Sequence, residues 1–173
     1  MNTKKLVQLA MLTSLGLALH IVESFIPNPF IGIAPGAKLG LANIIGLITL
    51  VIFGVKYALS INLLRCFLGG LATGTVTSML YSMAGALVST LLMWIVYRFL
   101  KKHFSLIGVS VFGALGHNIA QLIVGALIIS NIRIFSYLPV MMLVSIATGV
   151  FIGITANFTI DKALINFKNS LIM

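Results

Sequence analysis

Between Cys66 and Tyr97 the chain runs 32 residues without a formal charge, and four more uncharged stretches follow the same pattern: Leu6–Val22, Leu39–Val55, His103–Ile132 and Ile134–Ile160. A spanning helix takes roughly 20 mostly apolar residues, so these runs are built to cross a bilayer. Only Glu23 and Asp161 are acidic, against 11 Lys and Arg, and charged residues make up 8% of the chain. Soluble domains carry about a quarter. A mean hydropathy of +1.18 agrees. The chain reads as an all-α integral membrane protein.

The longest run has to be divided, and Gly69-Gly70-Leu71-Ala72-Thr73-Gly74-Thr75 supplies a break, because glycine and threonine clusters favour loops. Six transmembrane helices result, at about 5–26, 38–55, 57–71, 77–100, 106–131 and 137–160, in a single domain covering 1–173. Six spans put both termini on one face. That face collects Lys4, Lys5, Lys56, Arg98, Lys101, Lys102, Lys162 and Lys168, eight of the 11 cations, which makes it the cytoplasmic face of the cell membrane. The net charge of +9 is accounted for by this topology and by anionic lipid, and nucleic acid is not an expected partner. The first segment has a basic start like a secretory signal, but no small-residue cleavage site ends it. It is expected to be a retained helix that meets an outer loop at Pro27-Asn28-Pro29.

The single Cys66 has no partner for a disulfide or metal site and reads as packing; no metal or cofactor is expected. No phosphate-binding Gly-x-x-x-x-Gly-Lys-Ser/Thr loop occurs, so ATP hydrolysis would have to come from a partner.

Three cations remain once topology is accounted for. Lys38 begins the second helix at the outer face, where its ammonium adds to the positive helix end. Arg133 lies in the outer loop between helices 5 and 6. Arg65 is nine residues beyond Lys56, about 13 Å into helix 3 and so near the midplane. An ionisable group there is by default a functional candidate. Together the three suggest an outward-facing anion receptor. The structural alternatives are lipid-phosphate contacts for Lys38 and Arg133, and an ion pair with Glu23 for Arg65. Glu23 itself orients the basic cluster, binds an amine on a ligand, or sits at the interface.

Helix 5 adds Gly116-His117-Asn118-Ile119-Ala120-Gln121. His117, Asn118 and Gln121, three and four residues apart, are expected on one side of the helix at mid-depth, either lining a pocket or bonding between helices. Asn43 in helix 2 and Asn62 in helix 3 are weaker members of the same set, with a structural role as the alternative. Small residues mark close contacts at Gly149 and Gly153 in helix 6 and on the stripe Ala10, Ser14 and Ala18 of helix 1. The helix 1 stripe suits either internal packing or docking of another membrane protein.

The run Ala10-Met11-Leu12-Thr13-Ser14-Leu15-Gly16-Leu17-Ala18, after a short basic start in a six-helix chain, resembles the substrate-binding S components of energy-coupling factor (ECF) vitamin transporters, with Ser14 where their Ala-x-x-x-Ala pattern has alanine. Pro35-Gly36-Ala37-Lys38-Leu39-Gly40-Leu41-Ala42-Asn43, Arg65, Tyr81-Ser82-Met83-Ala84-Gly85 and Gly116-His117-Asn118-Ile119-Ala120-Gln121 resemble the family named both Gx transporter and heptaprenyl diphosphate synthase component I. The resemblance implies an S-component-like bundle that captures an anionic small molecule, an isoprenoid, quinone-pathway or vitamin-type precursor. Lys38, Arg65 and Arg133 would neutralise the anion while His117, Asn118 and Gln121 hold its polar part. Loops 27–37 and 69–78 would close over it. It also implies a coupling membrane subunit docked on Ala10, Ser14 and Ala18, and two ATPases. The alternatives are a membrane subunit of prenyl or quinone biosynthesis and a stand-alone carrier. Catalysis of prenyl elongation is not expected of a chain with two carboxylates.

Overall fold

The computed structural model describes residues 3–26, 40–73 and 76–169, with side chains described except at 73 and 163–169. Described elements are helical throughout: α1 (Thr3–Phe25), α2 (Asn43–Phe53), α3 (Val55–Thr73), α4 (Val76–Phe99), α5 (Leu106–Ile129), a 3-10 helix (Ile132–Tyr137) and α6 (Leu138–Asn169). Helices are what such a sequence can form in lipid, where each backbone N–H and C=O must find its partner within the segment. Five stretches are long and apolar enough to cross a membrane: Thr3–Phe25, Val55–Ala72, Val76–Phe99, Leu106–Ile129 and Ile132–Lys162. The chain is a multi-pass membrane protein turned inside out relative to a soluble one. Leu71, Leu127, Leu143 and Phe158 face outward, while His20, Glu23, Asn43, Arg65, His117 and Gln121 are buried.

Side-chain contacts fix how neighbouring helices run. Cys66 meets Ser82 and Gly70 meets Met79, so α3 and α4 are antiparallel. Gly85 against His117 and Gly113 against Met93 give the same sense to α4 and α5. Gly16 on Arg65 and His20 on Gly69 make α1 parallel to α3. Around the bundle the order is α1, α3, α4, α5, α6, and α2 packs inside it against α1, α3, α4 and α6. Every residue of α2 from Asn43 to Leu50 is buried, as expected of a helix that is apolar on all sides. Ile45, Leu47, Ile48 and Leu50 form the centre of the main apolar core together with Ile61, Met93, Val109 and Ile152.

Two sequence expectations are corrected here. The second span, expected over 38–55, is an 11-residue helix, about 16 Å long and roughly half of a bilayer core. Its first residue, Asn43, stands beside Arg65 and His117, which lie at the middles of α3 and α5. α2 therefore begins at mid-depth and runs to the end where α1 starts. The backbone ahead of it is non-helical at Gly40, whose φ of +85° excludes most side chains. The closing loop expected over 69–78 is the other: α3 continues through Gly69 and Gly70 to Thr73 and α4 begins at Val76, with the boundary between them inside the expected 69–75 stretch. Packing outweighs glycine's weak helix propensity: a Cβ at Gly69 would lie 2.4 Å from His20 Cδ2, and one at Gly70 would lie 2.6 Å from Met79 Cβ. The proposed closing loop 69–78 is therefore helical over most of its length. The other expected loop, 27–37, lies outside the described residues.

α2 turns into α3 through the single residue Gly54, at φ +91°, whose N–H bonds back to Thr49 and Leu50. At the end of the bundle where α1 starts, Lys5 Nζ lies 3.9 Å from the Tyr57 ring centre and Lys162 Nζ lies 4.3 Å from that of Phe158, cation–π contacts suited to an interfacial belt. The small residues of helix 6 are internal packing. A Cβ at Gly149 would fall 2.6 Å from Val111 Cα and one at Gly153 2.5 Å from Ile107 Cα, so the backbones of α5 and α6 touch. Ser110 Oγ donates to Gly149 O across the seam at 2.6 Å.

Replacing Gly149 by Leu should drive α6 off α5, at about 1–3 kcal/mol for overpacking, and lower Tm in detergent. Thiol-reactive dye labelling of the buried Cys66 on heating reads this directly. An unchanged midpoint would mean that the two backbones do not meet.

Candidate functional site

Arg65, 3% exposed at the middle of α3, is the hub of a polar cluster drawn from five helices. Its Nε donates to Asn62 Oδ1 at 2.9 Å, one turn back on α3. Its Nη2 donates to Asn43 Oδ1 at 2.7 Å, and its Nη1 lies 3.4 Å from His20 Nδ1 of α1. Asn62 Nδ2 passes the chain to α4, donating to Thr90 Oγ1 at 2.8 Å, and that hydroxyl donates to Ala86 O at 2.7 Å. On the other side, Asn43 Nδ2 meets His117 Nδ1 at 3.2 Å, and His117 Nε2 lies 3.0 Å from Gln121 Nε2.

The donors and acceptors can be ordered from Arg65 outward. A guanidinium only donates, so the Asn43 carbonyl must face it and the Asn43 amide nitrogen must face His117. The His117 ring thus lies between two amide nitrogens, Asn43 Nδ2 at its Nδ1 and Gln121 Nε2 at its Nε2, and the tautomer of the ring sets the roles in these contacts.

Space for these polar groups comes from glycines on facing helices. A Cβ at Gly16 of α1 would sit 3.1 Å from Arg65 Cδ. At Gly46 of α2 it would sit 2.3 Å from Asn62 Nδ2, and at Gly85 of α4 2.6 Å from His117 Nδ1. With Gly69 beneath His20, each of four polar side chains of the cluster rests on a glycine.

The charges are the unusual part. No carboxylate lies within 4 Å of Arg65 among the described residues, where it meets the side chains of Asn62, Asn43 and His20. Glu23, 5% exposed, accepts instead from the backbone N–H of Gly40 and, at 3.2 Å, from that of Leu41. The structural alternative for Arg65, an ion pair with Glu23, is not formed. Asp161 is exposed near the far end of α6, with Asn157 Nδ2 3.2 Å away. The two carboxylates of the chain therefore lie toward opposite ends of the bundle, and the described residues contain no cluster of three His, Cys, Asp or Glu that could hold a metal.

Of the residues expected in a site, Arg65, Asn43, His117 and Gln121 are brought together, with Glu23 adjoining them through Gly40. A Cβ at Gly40 would lie 3.0 Å from Asn43 Nδ2 and 3.2 Å from His117 Cδ2. Asn118 points elsewhere. Its Nδ2 donates to Ser145 Oγ at 2.7 Å and lies 3.3 Å from Met141 O, joining α5 to α6. Neighbours on a helix diverge by about 100°, so 117 and 121 share a face that 118 does not. Arg133 is exposed in the 3-10 helix, away from the cluster, and Lys38 lies outside the described residues. His20 and Thr90 joined the cluster without having been expected there. Gly16, His20 and Glu23, at i, i+4 and i+7 on α1, are the pattern that could have flagged His20. Ala10, Ser14 and Ala18 are exposed on the remaining surface of α1.

Fold and cluster together define a multi-pass helical membrane protein with a cationic polar core at mid-depth. Within that class, the chain belongs to the family described as heptaprenyl diphosphate synthase component I, whose family model matches residues 12–159. The matched stretch contains every member of the cluster. No curated protein and no solved structure matches the chain.

Substituting Gly85 by Ala should push the His117 ring off its seat, lowering Tm by an amount equivalent to about 1–3 kcal/mol and shifting the imidazole nitrogen resonances. An unaltered spectrum would place His117 elsewhere.

Proposed function

We propose that this protein is the membrane-embedded substrate-binding component of an uptake transporter, and that it captures an anionic small molecule at the Arg65 cluster. The observation that carries the reading is a guanidinium buried at mid-depth with no carboxylate beside it among the described residues. A charge at the bilayer centre costs about 2.5–3.5 kcal/mol even on the mildest scale. A purely structural arginine would be expected to meet its counter-ion, whereas a receptor leaves that place to the ligand. Three N–H groups of Arg65 are used, which leaves two of its five for an incoming oxyanion. Asn43, His117 and Gln121 supply further polar contacts. Lys38 and Arg133 belong to this proposal as outer cations that draw the anion in.

A helix that starts at mid-depth supports the same reading. In transporters, non-helical backbone within the membrane occurs where it lines a binding site, and half-helix N-termini point toward anionic groups. Energy for release inside would come from two ATPases through a coupling membrane subunit. The exposed Ala10, Ser14 and Ala18 face of α1 offers that subunit a close-packing surface. Catalysis is no part of this reading, since Glu23 and Asp161 stand too far apart to hold one magnesium diphosphate together.

The family description favours a second reading, a non-catalytic membrane subunit of heptaprenyl diphosphate synthesis. There the same cation would hold a prenyl diphosphate for a soluble partner. Native mass spectrometry of the gently purified protein separates the two. A bound anion with ATPases and a membrane subunit supports uptake; a co-purifying soluble synthase supports the second reading.

Arg65→Gln should abolish binding of the extracted anion. Asn43→Asp gives a sharper test, because it places a carboxylate where Asn43 Oδ1 now lies, 2.7 Å from Nη2. It should neutralise Arg65 from within, so that binding is lost while Tm holds or rises. Binding that survives both substitutions would remove Arg65 from the site. Ser14→Leu should leave ligand affinity unchanged and weaken co-purification of the coupling subunit. Loss of ligand affinity in that variant would count against α1 as the docking face.

A further inference from the structure

The backbone ahead of α2 makes a second anion-binding element, and it is already filled. Asn43, Ile44 and Ile45 N–H groups bond to Gly40, Leu41 and Ala42 carbonyls at 2.9, 3.1 and 3.3 Å, which closes the first turn of the helix. The N–H groups of Gly40 and Leu41, at its positive end, remain for an outside acceptor. That acceptor is Glu23, which contributes the only buried carboxylate among the described residues. Gly40 in turn packs on Asn43 and His117, and Arg65 Nη2 donates to Asn43 Oδ1, so the N–H pair and Arg65 are two sets of donors that adjoin the same Asn43 side chain. Glu23 serves only the first set. Arg65, 3% exposed, keeps no carboxylate.

We infer that Glu23 is an internal stand-in for the ligand's anionic group, and that a ligand with an extended anionic head, a diphosphate or a similar dianion, binds by displacing it. The inference rests on the reading of Arg65 as an anion receptor and extends it to the Gly40 and Leu41 N–H groups. A single carboxylate satisfies one set of donors, whereas two linked anionic groups would span both. Displacement is feasible because Glu23 lies in the last turn of α1, where Ser24, Phe25 and Ile26 are exposed. Unwinding that turn carries the carboxylate to water. The end of α1 is thereby released from α2 when the site fills. Lipid headgroups are not the occupant, since their phosphates lie about 15 Å from mid-depth.

The test uses the full chain in phosphatidylcholine nanodiscs with inorganic diphosphate as probe. Glu23→Gln keeps an acceptor for the N–H groups and removes the competing charge. Its dissociation constant for diphosphate should fall about tenfold or more, the factor expected when the wild-type site is free a tenth of the time. Unchanged or weaker binding by a folded Glu23→Gln protein overturns the inference. The double variant Glu23→Gln/Arg65→Gln should lose the gain; if the gain persists, displacement stands and the assignment of Arg65 fails. A second measurement needs no substitution at Glu23. Spin labels at the exposed positions 24 and 129, in a Cys66→Ala background, should move apart when diphosphate is added. A distance distribution that stays fixed at saturating diphosphate overturns the inference independently.

Discussion

A guanidinium buried in a bundle whose outer surface is apolar has to be satisfied from within, and much of this structure follows from that one requirement. Arg65 reaches Asn62 on its own helix, Asn43 on α2 and His20 on α1. Through Asn62 and Asn43 it is linked to Thr90 on α4 and His117 on α5. Each of these partners is polar because lipid offers no water to take its place. Arg65, Asn62, His20 and His117 fit because glycines on neighbouring helices leave room for them. The polar cluster and the glycine positions are one feature seen from two sides.

The short α2 is the second consequence. A helix that spanned the whole bilayer in the middle of the bundle would fill the space beside Arg65 with its own side chains. By starting at Asn43, α2 brings its positive end, two backbone N–H groups and a polar first residue to mid-depth. Its remaining turns are entirely apolar and anchor the core toward the other end of the bundle. One short element thus contributes to the polar cluster at one end and to the apolar core at the other. α1 has a similar double character around its circumference, with Gly16, His20 and Glu23 turned to the cluster and Ala10, Ser14 and Ala18 turned away from it.

The separation of Glu23 from Arg65 gives the site its chemistry. Paired, the two charges would form a closed structural bridge with nothing left for a ligand. Held apart on neutral dipoles, they leave a cation without a carboxylate beside a carboxylate seated at a helix start.

Much of this was legible in the chain. Uncharged runs and the scarcity of acid residues determined a multi-pass helical protein, and the distance from Lys56 to Arg65 placed a charge at mid-depth, because rise per residue along one helix is constant. The grouping of Arg65, Asn43, His117 and Gln121 was also within reach of sequence reasoning. Depth along a helix is a local property, and the chain carries it. Only the packed structure decided that α2 is half a span, that Asn118 faces α6, and that Glu23 seats on Gly40 and Leu41 rather than on Arg65. Those outcomes depend on which face each helix turns inward and which residues of other helices stand at the same depth. Both are settled by contacts between segments far apart in sequence, which no local pattern encodes.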